Sequence, residues 1–220
     1  MRRSSHRPDT SLAARDELDL KEPRMVSILD LWLPIVLSAV FVFFASSLLW
    51  MALPFHKNDF KFLGGEEANV MNMIRGLNLG GGIYMFPRCD PKAVKDDPAA
   101  AERLKTGPWG MLTVMASPGS MGKCLGLWML NTLLVAAFVA YIASNALPAG
   151  TEYLKVFQIV GATTFLAYGG NALCDSIWKG RPWSHLPGSI IDALIYALLT
   201  GGAFGWLWPK AAAILPVMPS

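Results

Sequence analysis

Apolar and polar positions fall along this chain in long blocks rather than at the short periods of a soluble helix or strand. Residues 31–53, 124–147 and 156–174 carry no charge, and residues 189–208 carry a single acid, Asp192. A helix that crosses the hydrocarbon of a bilayer needs about 20 mostly apolar residues. Backbone polar groups cannot stay unpaired there, which leaves a helix as the natural conformation of each block. The pattern therefore predicts four transmembrane helices.

The polar segments divide the chain around those helices: a mobile polar tail over residues 1–25, a first helix within 26–53, an extramembrane cap over 54–123, three further helices within 124–210, and a short C-terminal tail over 211–220. Four crossings put both termini on one side. The long connection and the short one over residues 175–188 share the other, called here the loop side. Tryptophan marks the borders. Trp32 and Trp50 flank the first helix, and Trp128 lies near the start of the second. Trp178 and Trp183 follow the third, and Trp206 and Trp208 close the fourth. This is the interfacial placement expected of an amphipathic ring. Lysine and arginine are nearly balanced between the two sides, so charge sets no orientation.

The cap is too long to be an idle link. Residues 65–77 predict a helix, with Glu66 and Glu67 at its positive end. Residues 83–86 and 110–116 have strand chemistry and would pair as an antiparallel ribbon. Residues 97–104 predict a short helix with Asp97 as cap and Pro98 in the first turn. The expected fold is an all-α membrane protein of four transmembrane helices, with a small α+β cap between helices one and two.

Polar groups inside apolar runs are the functional candidates, because lipid penalises them. Asp192, Asn171, Asn131, Asp175, Lys179 and Arg181 all fall towards the loop side and form the candidate ligand-binding set. A structural role competes with that expectation. Asp192 near a helix start would satisfy free amides and the helix dipole. Asp175 with Lys179 or Arg181 would form an interfacial ion pair, and the two asparagines would hydrogen-bond between helices. His56, His185 and Cys89 also fall on the loop side, near Asp59, but without the spacing of a metal site. They are weak metal candidates, and neither a metal nor another cofactor is expected.

Small residues suggest helix packing. Ala193, Ala197, Gly201 and Gly205 recur every four positions in the fourth helix, and Ala136, Ala140 and Ser144 do so in the second. Such ridges let backbones approach closely, either inside the bundle or against another protein.

Composition adds little. The hydrophobic fraction of 53% suits a bilayer, and a net charge of +3 argues against a nucleic-acid partner. Three scattered cysteines build no disulfide framework. No phosphate loop, dinucleotide fingerprint or nucleophile elbow is present.

The stretches LWLPIVLSAVFVFFASSLLWMALPFHKNDFK, GGIYMFPRCD, GPWGMLTVM, MGKCLGLW, FLAYGGNALCDSIWKGRPWS and IDALIYALLTGGAFGWLWP resemble a family of small bacterial membrane proteins with no known biochemical activity. The likeness spans roughly residues 26 to 210. It implies a four-helix protein of the bacterial inner membrane and carries no catalytic residue onto this chain.

The functional expectation is a non-enzymatic accessory or scaffolding subunit of a larger membrane complex. Its partners would be the lipid bilayer and other membrane-protein subunits, or a second copy of itself. The alternative is binding or transport of a small ligand, an ion or a lipid headgroup through the loop-side polar set. An enzyme acting on lipid ranks last, for want of a nucleophile and base.

Overall fold

The computed structural model describes residues 25–57, 59–88 and 90–211. Of the expected tail over residues 1–25, residues 1–24 lie outside the described residues, as do residues 212–220 and Cys89, while Met25 is described. The described chain is mostly helical, with one small two-stranded sheet.

Helix α1, Trp32–Ser47, is entered through a 3-10 turn, Ile28–Leu31. Ser27 starts that turn with a capping box. Its Oγ accepts the Leu29 amide at 3.3 Å, and Asp30 Oδ2 accepts the Ser27 amide at 3.2 Å. The helix leaves through a widened π turn, Leu48–Ala52. The cap follows. It holds α2 (Glu67–Gly76), β1 (Gly82–Phe86), α3 (Pro91–Asp96), α4 (Pro98–Thr106) and β2 (Gly110–Val114). The strands pair antiparallel, with Gly82 opposite Val114 and Phe86 opposite Gly110. Asp97 caps α4 by accepting the Ala99 amide at 2.9 Å. Helices α5 (Met121–Ala146), α6 (Tyr153–Gly169), α7 (Ala172–Trp178) and α8 (Leu186–Leu207) complete the chain.

Among the described residues, three helical segments are long and apolar enough to span a membrane: Ile28–Ala52, Met121–Ala146 and Trp183–Leu207. Their outward faces are themselves apolar. Phe44 is 66% exposed and Phe138 69%. A protein surrounded by water rarely shows apolar surface on this extent, so these helices point to a membrane location.

The block over residues 156–174 departs from the single helix expected. Helix α6 runs unbroken for only 17 residues, Tyr153–Gly169, and the chain restarts as α7 at Ala172. The break falls on Gly170 and Asn171, directly after Gly169, where two glycines and an asparagine weaken the helix. Gly170 closes α6 by donating its amide to the Leu166 carbonyl at 3.0 Å.

Helices α6 and α8 form the tightest antiparallel pair, and the small-residue ridge of α8 is the reason. A Cβ on Gly205 would lie 2.7 Å from the Tyr153 ring, and one on Gly201 would lie 3.1 Å from the Phe157 ring. One on Gly161 would lie 3.7 Å from the Ala197 carbonyl oxygen, and one on Gly169 3.1 Å from the Ala193 methyl. Helix α8 contributes small residues at four-residue spacing, α6 adds Gly161 and Gly169 eight positions apart, and Tyr153 and Phe157 fill the groove left by Gly205 and Gly201. Ala136, Ala140 and Ser144 of α5 are likewise buried inside the bundle. Without a hydrophobic drive between helices in lipid, such close packing is the main attraction available.

One end of the bundle is tied. Met25 bridges to Pro148, Gly150 donates its amide to the Pro209 carbonyl at 2.8 Å, and the Trp208 indole donates to the Pro148 carbonyl at 3.0 Å. Above these ties, Leu31, Val139, Ala140, Val156, Val160 and Phe204 make a closed apolar core. The loop-side end is built differently, around polar groups and a cavity.

Candidate functional site

The site begins with a tight turn. Pro54–His56 is a single 3-10 turn just beyond the first long helix, and the Asp59 amide bonds back to the His56 carbonyl at 3.0 Å. That turn brings the Asp59 carboxylate onto the His56 ring, with Oδ2 2.8 Å from Nδ1. The other ring nitrogen, Nε2, faces Asp192 on α8, at 3.1 Å from Oδ2 and 3.3 Å from Oδ1. Trp50, carried on the π turn, donates its indole N–H to the same Asp192 Oδ2 at 3.1 Å. Its ring also lies flat on the His56 ring, with centroids 3.9 Å apart and planes 4° from parallel.

His56 is therefore enclosed on every side. It is only 7% exposed. A Cβ on Gly188 would sit 3.3 Å from its Cε1, and glycine there lets the ring reach the start of α8. Ionised carboxylates only accept hydrogen bonds, so a ring that meets one at each nitrogen is suited to carrying both protons. Burial works against that charge. The hydrogen bonds to Asp59 and Asp192, and the charges behind them, outweigh it and raise the His56 pKa above its ordinary 6.5. The Trp50 face adds a cation–π contact whenever the ring is protonated.

The network extends outward through His185. Its Nδ1 lies 3.9 Å from Asp59 Oδ2, and the Arg181 Nε donates to it at 3.5 Å. Inward, Asp192 borders a cavity of about 430 Å³. Trp50, Met51, Leu125, Trp128, Tyr168 and Tyr196 form most of its wall, and Ser189, Asp192 and Arg181 give it a polar end. The aromatic wall is held in place. Trp128 donates its indole N–H to Ser46 Oγ at 2.7 Å, and the Tyr168 ring meets the Tyr196 ring edge to face with centroids 5.1 Å apart.

The six expected ligand-binding residues do not gather in one place. Asp192 and Arg181 border the cavity. Asn171, Asp175 and Lys179 make a separate exposed ladder along α7. The Asn171 amide donates to Asp175 Oδ1 at 3.2 Å, and Lys179 Nζ pairs with that oxygen at 2.7 Å. Asn131 is exposed on α5 and belongs to neither group. Asp192 also departs from the capping role considered for it. Helix α8 starts earlier than the apolar block suggests, at Leu186, and the carboxylate reaches across to Trp50 and His56 instead of to its own helix end.

His56 and His185 do come together, yet no group of three His, Cys, Asp or Glu suited to a metal ion occurs among the described residues. Both His56 nitrogens are engaged by carboxylates, which leaves no free lone pair for a metal. Three contributors were not in the candidate set: His56 as the partner of Asp192, Asp59, and Trp50. A signal for them exists. A His and an Asp three residues apart directly follow the first apolar run, at the end of the bundle where the fourth run holds its one acid.

Comparison of the chain with protein-family models, with curated proteins and with solved structures gives no match. Fold and site together define a helical protein with three membrane-length segments and, at one end of them, a largely apolar cavity with a polar rim. What the site does must be read from its own chemistry.

Proposed function

We propose that the chain is a four-span protein of the bacterial inner membrane that binds a small amphiphile in its loop-side cavity. The observation that carries this reading is Asp192. A carboxylate within an apolar span is costly, yet this one is 7% exposed, held by Trp50 and His56, and borders an open cavity. A purely structural acid has no need of such a space. Apolar walls with a few converging polar groups are the usual form of a small-molecule site. In the four-span arrangement α6 serves as the third crossing, extended by α7. The cap residues Pro54–His56 and Asp59 then lie over the mouth of the cavity.

The accessory-subunit expectation leans on small-residue faces, and these are occupied within the chain by the α6–α8 contact. A binding role draws on more of the geometry. The ligand's apolar part would lie against Leu125, Trp128 and Tyr168, and its polar part against Ser189, Asp192 and Arg181. The role proposed is non-enzymatic.

The test is lipid analysis of protein purified in a mild detergent. Wild type should carry about one bound amphiphile per chain, and Asp192→Asn should lose most of it while still eluting as a folded species. Leu125→Trp, which fills the cavity without touching the polar network, should lose it too. Equal amphiphile content in all three proteins, or none in wild type, would overturn the reading.

A further inference from the structure

We propose that the amphiphile taken by this cavity is an anionic one, a lipid with a phosphate headgroup received by Arg181. The proposal rests on the binding role argued above and adds the sign and chemistry of the headgroup.

The argument is a count of unmet hydrogen-bonding capacity around the cavity. Asp192 is the one acid among the lining residues. Its oxygens already accept from the Trp50 indole and face the His56 ring, whose second nitrogen lies on Asp59. A cationic headgroup would find that carboxylate already claimed. Arg181 is the one cation among the lining residues, and its position is the reverse. Only Nε is engaged, by a 3.5 Å contact to His185. Its terminal nitrogens meet no hydrogen-bond or ion-pair partner among the described residues. Arg181 is half-buried and lines the cavity.

The lining serines offer no competition. Ser46 and Ser47 give their hydroxyl protons to the Phe43 carbonyl, at 2.8 and 2.9 Å, and Ser189 gives its own to the His185 carbonyl at 3.2 Å. Helix α8 also begins at this end without a side-chain cap. The positive end of its dipole adds to the field of Arg181. A planar guanidinium fork with open N–H groups suits the paired oxygens of a phosphate. The wall that continues from it through Trp50, Met51, Leu125 and Trp128 is apolar. A free anion would leave that wall unused, and an acyl chain would cover it.

The test compares two probes with identical fluorescent acyl chains, phosphatidic acid and phosphatidylcholine, titrated into the full chain in neutral detergent micelles. Wild type should prefer phosphatidic acid. Arg181→Gln should weaken phosphatidic acid binding about tenfold and leave phosphatidylcholine binding unchanged. Arg181→Lys, which keeps the charge and loses the fork, should retain part of the preference and shows that the position tolerates change. Millimolar inorganic phosphate should not displace the lipid probe. Equal affinity for the two headgroups, or an Arg181→Gln protein that keeps the preference, overturns the anionic assignment while leaving the binding role intact. Displacement by inorganic phosphate also overturns it, since the site would then read a free anion. Failure of wild type to bind either probe overturns the binding role itself.

Discussion

His56 is the residue on which the loop-side end turns. A histidine clamped by two carboxylates and stacked on an indole is held by its charge, so its contribution follows pH. Its folded pKa lies above the ordinary 6.5. The stabilisation is therefore complete below that value and fades as the pH rises through the folded pKa. The groups facing the ring are Asp59 from its own turn, Asp192 from α8 and Trp50 from the π turn. His185 and Arg181 stand behind Asp59. The melting temperature of detergent-solubilised wild type should fall as the pH is raised from about 6.5 into the alkaline range. His56→Gln should start lower and show a flatter profile over that range. A wild-type profile as flat as that of the variant would contradict the clamped, protonated ring. The residue types were legible in the chain, and Asp192 stood out as the one acid of its run. The pairing was not legible, because His56 and Asp192 are 136 positions apart and only the fold sets them at 3.1 Å.

Elements were easier to read than contacts. Length and apolarity gave the three long helices to within a few residues, since each block must pair its own backbone wherever it lies. Turn chemistry gave the ribbon and the Asp97 cap. Pattern failed at α6, where hydropathy runs smoothly through Gly169, Gly170 and Asn171 but backbone preference does not. It also omitted α3 and could not tell which neighbour each small-residue ridge would meet. That choice depends on Tyr153 and Phe157 filling the grooves over Gly205 and Gly201. The four-span arrangement rests on counting α6 as a crossing although it is only 17 residues long. Single cysteines introduced at Ser27 and Lys210, in a chain whose native cysteines are replaced, should react with an impermeant thiol reagent from one face of the membrane. Cysteines at Lys61 and Gly180 should react only from the other. Labelling of Lys61 and Lys210 positions from the same face would remove the fourth span.

The molecule as a whole is built with unlike ends. At the end where Met25 meets Pro148, main-chain ties close over a core around Phe204, and the opening lined by Met25, Asp30, Ala149 and Lys210 lies outside that core. At the loop side, charged groups are held apart from the core by a cavity walled with aromatic rings. Filling that cavity with side chains would be the simpler way to stabilise a bundle, because an empty space forfeits its packing contacts. The preserved opening beside a costly acid is what makes binding the central claim. It is tested most directly by a lipid carrying a photoreactive group in its acyl chain, cross-linked to the protein in a bilayer and mapped by peptide mass spectrometry. Adducts should appear on Leu125, Trp128 and Tyr168 and disappear from Trp128 and Tyr168 in the Leu125→Trp variant. Adducts confined to outward positions such as Phe44 and Phe138, with none inside the cavity, would contradict it.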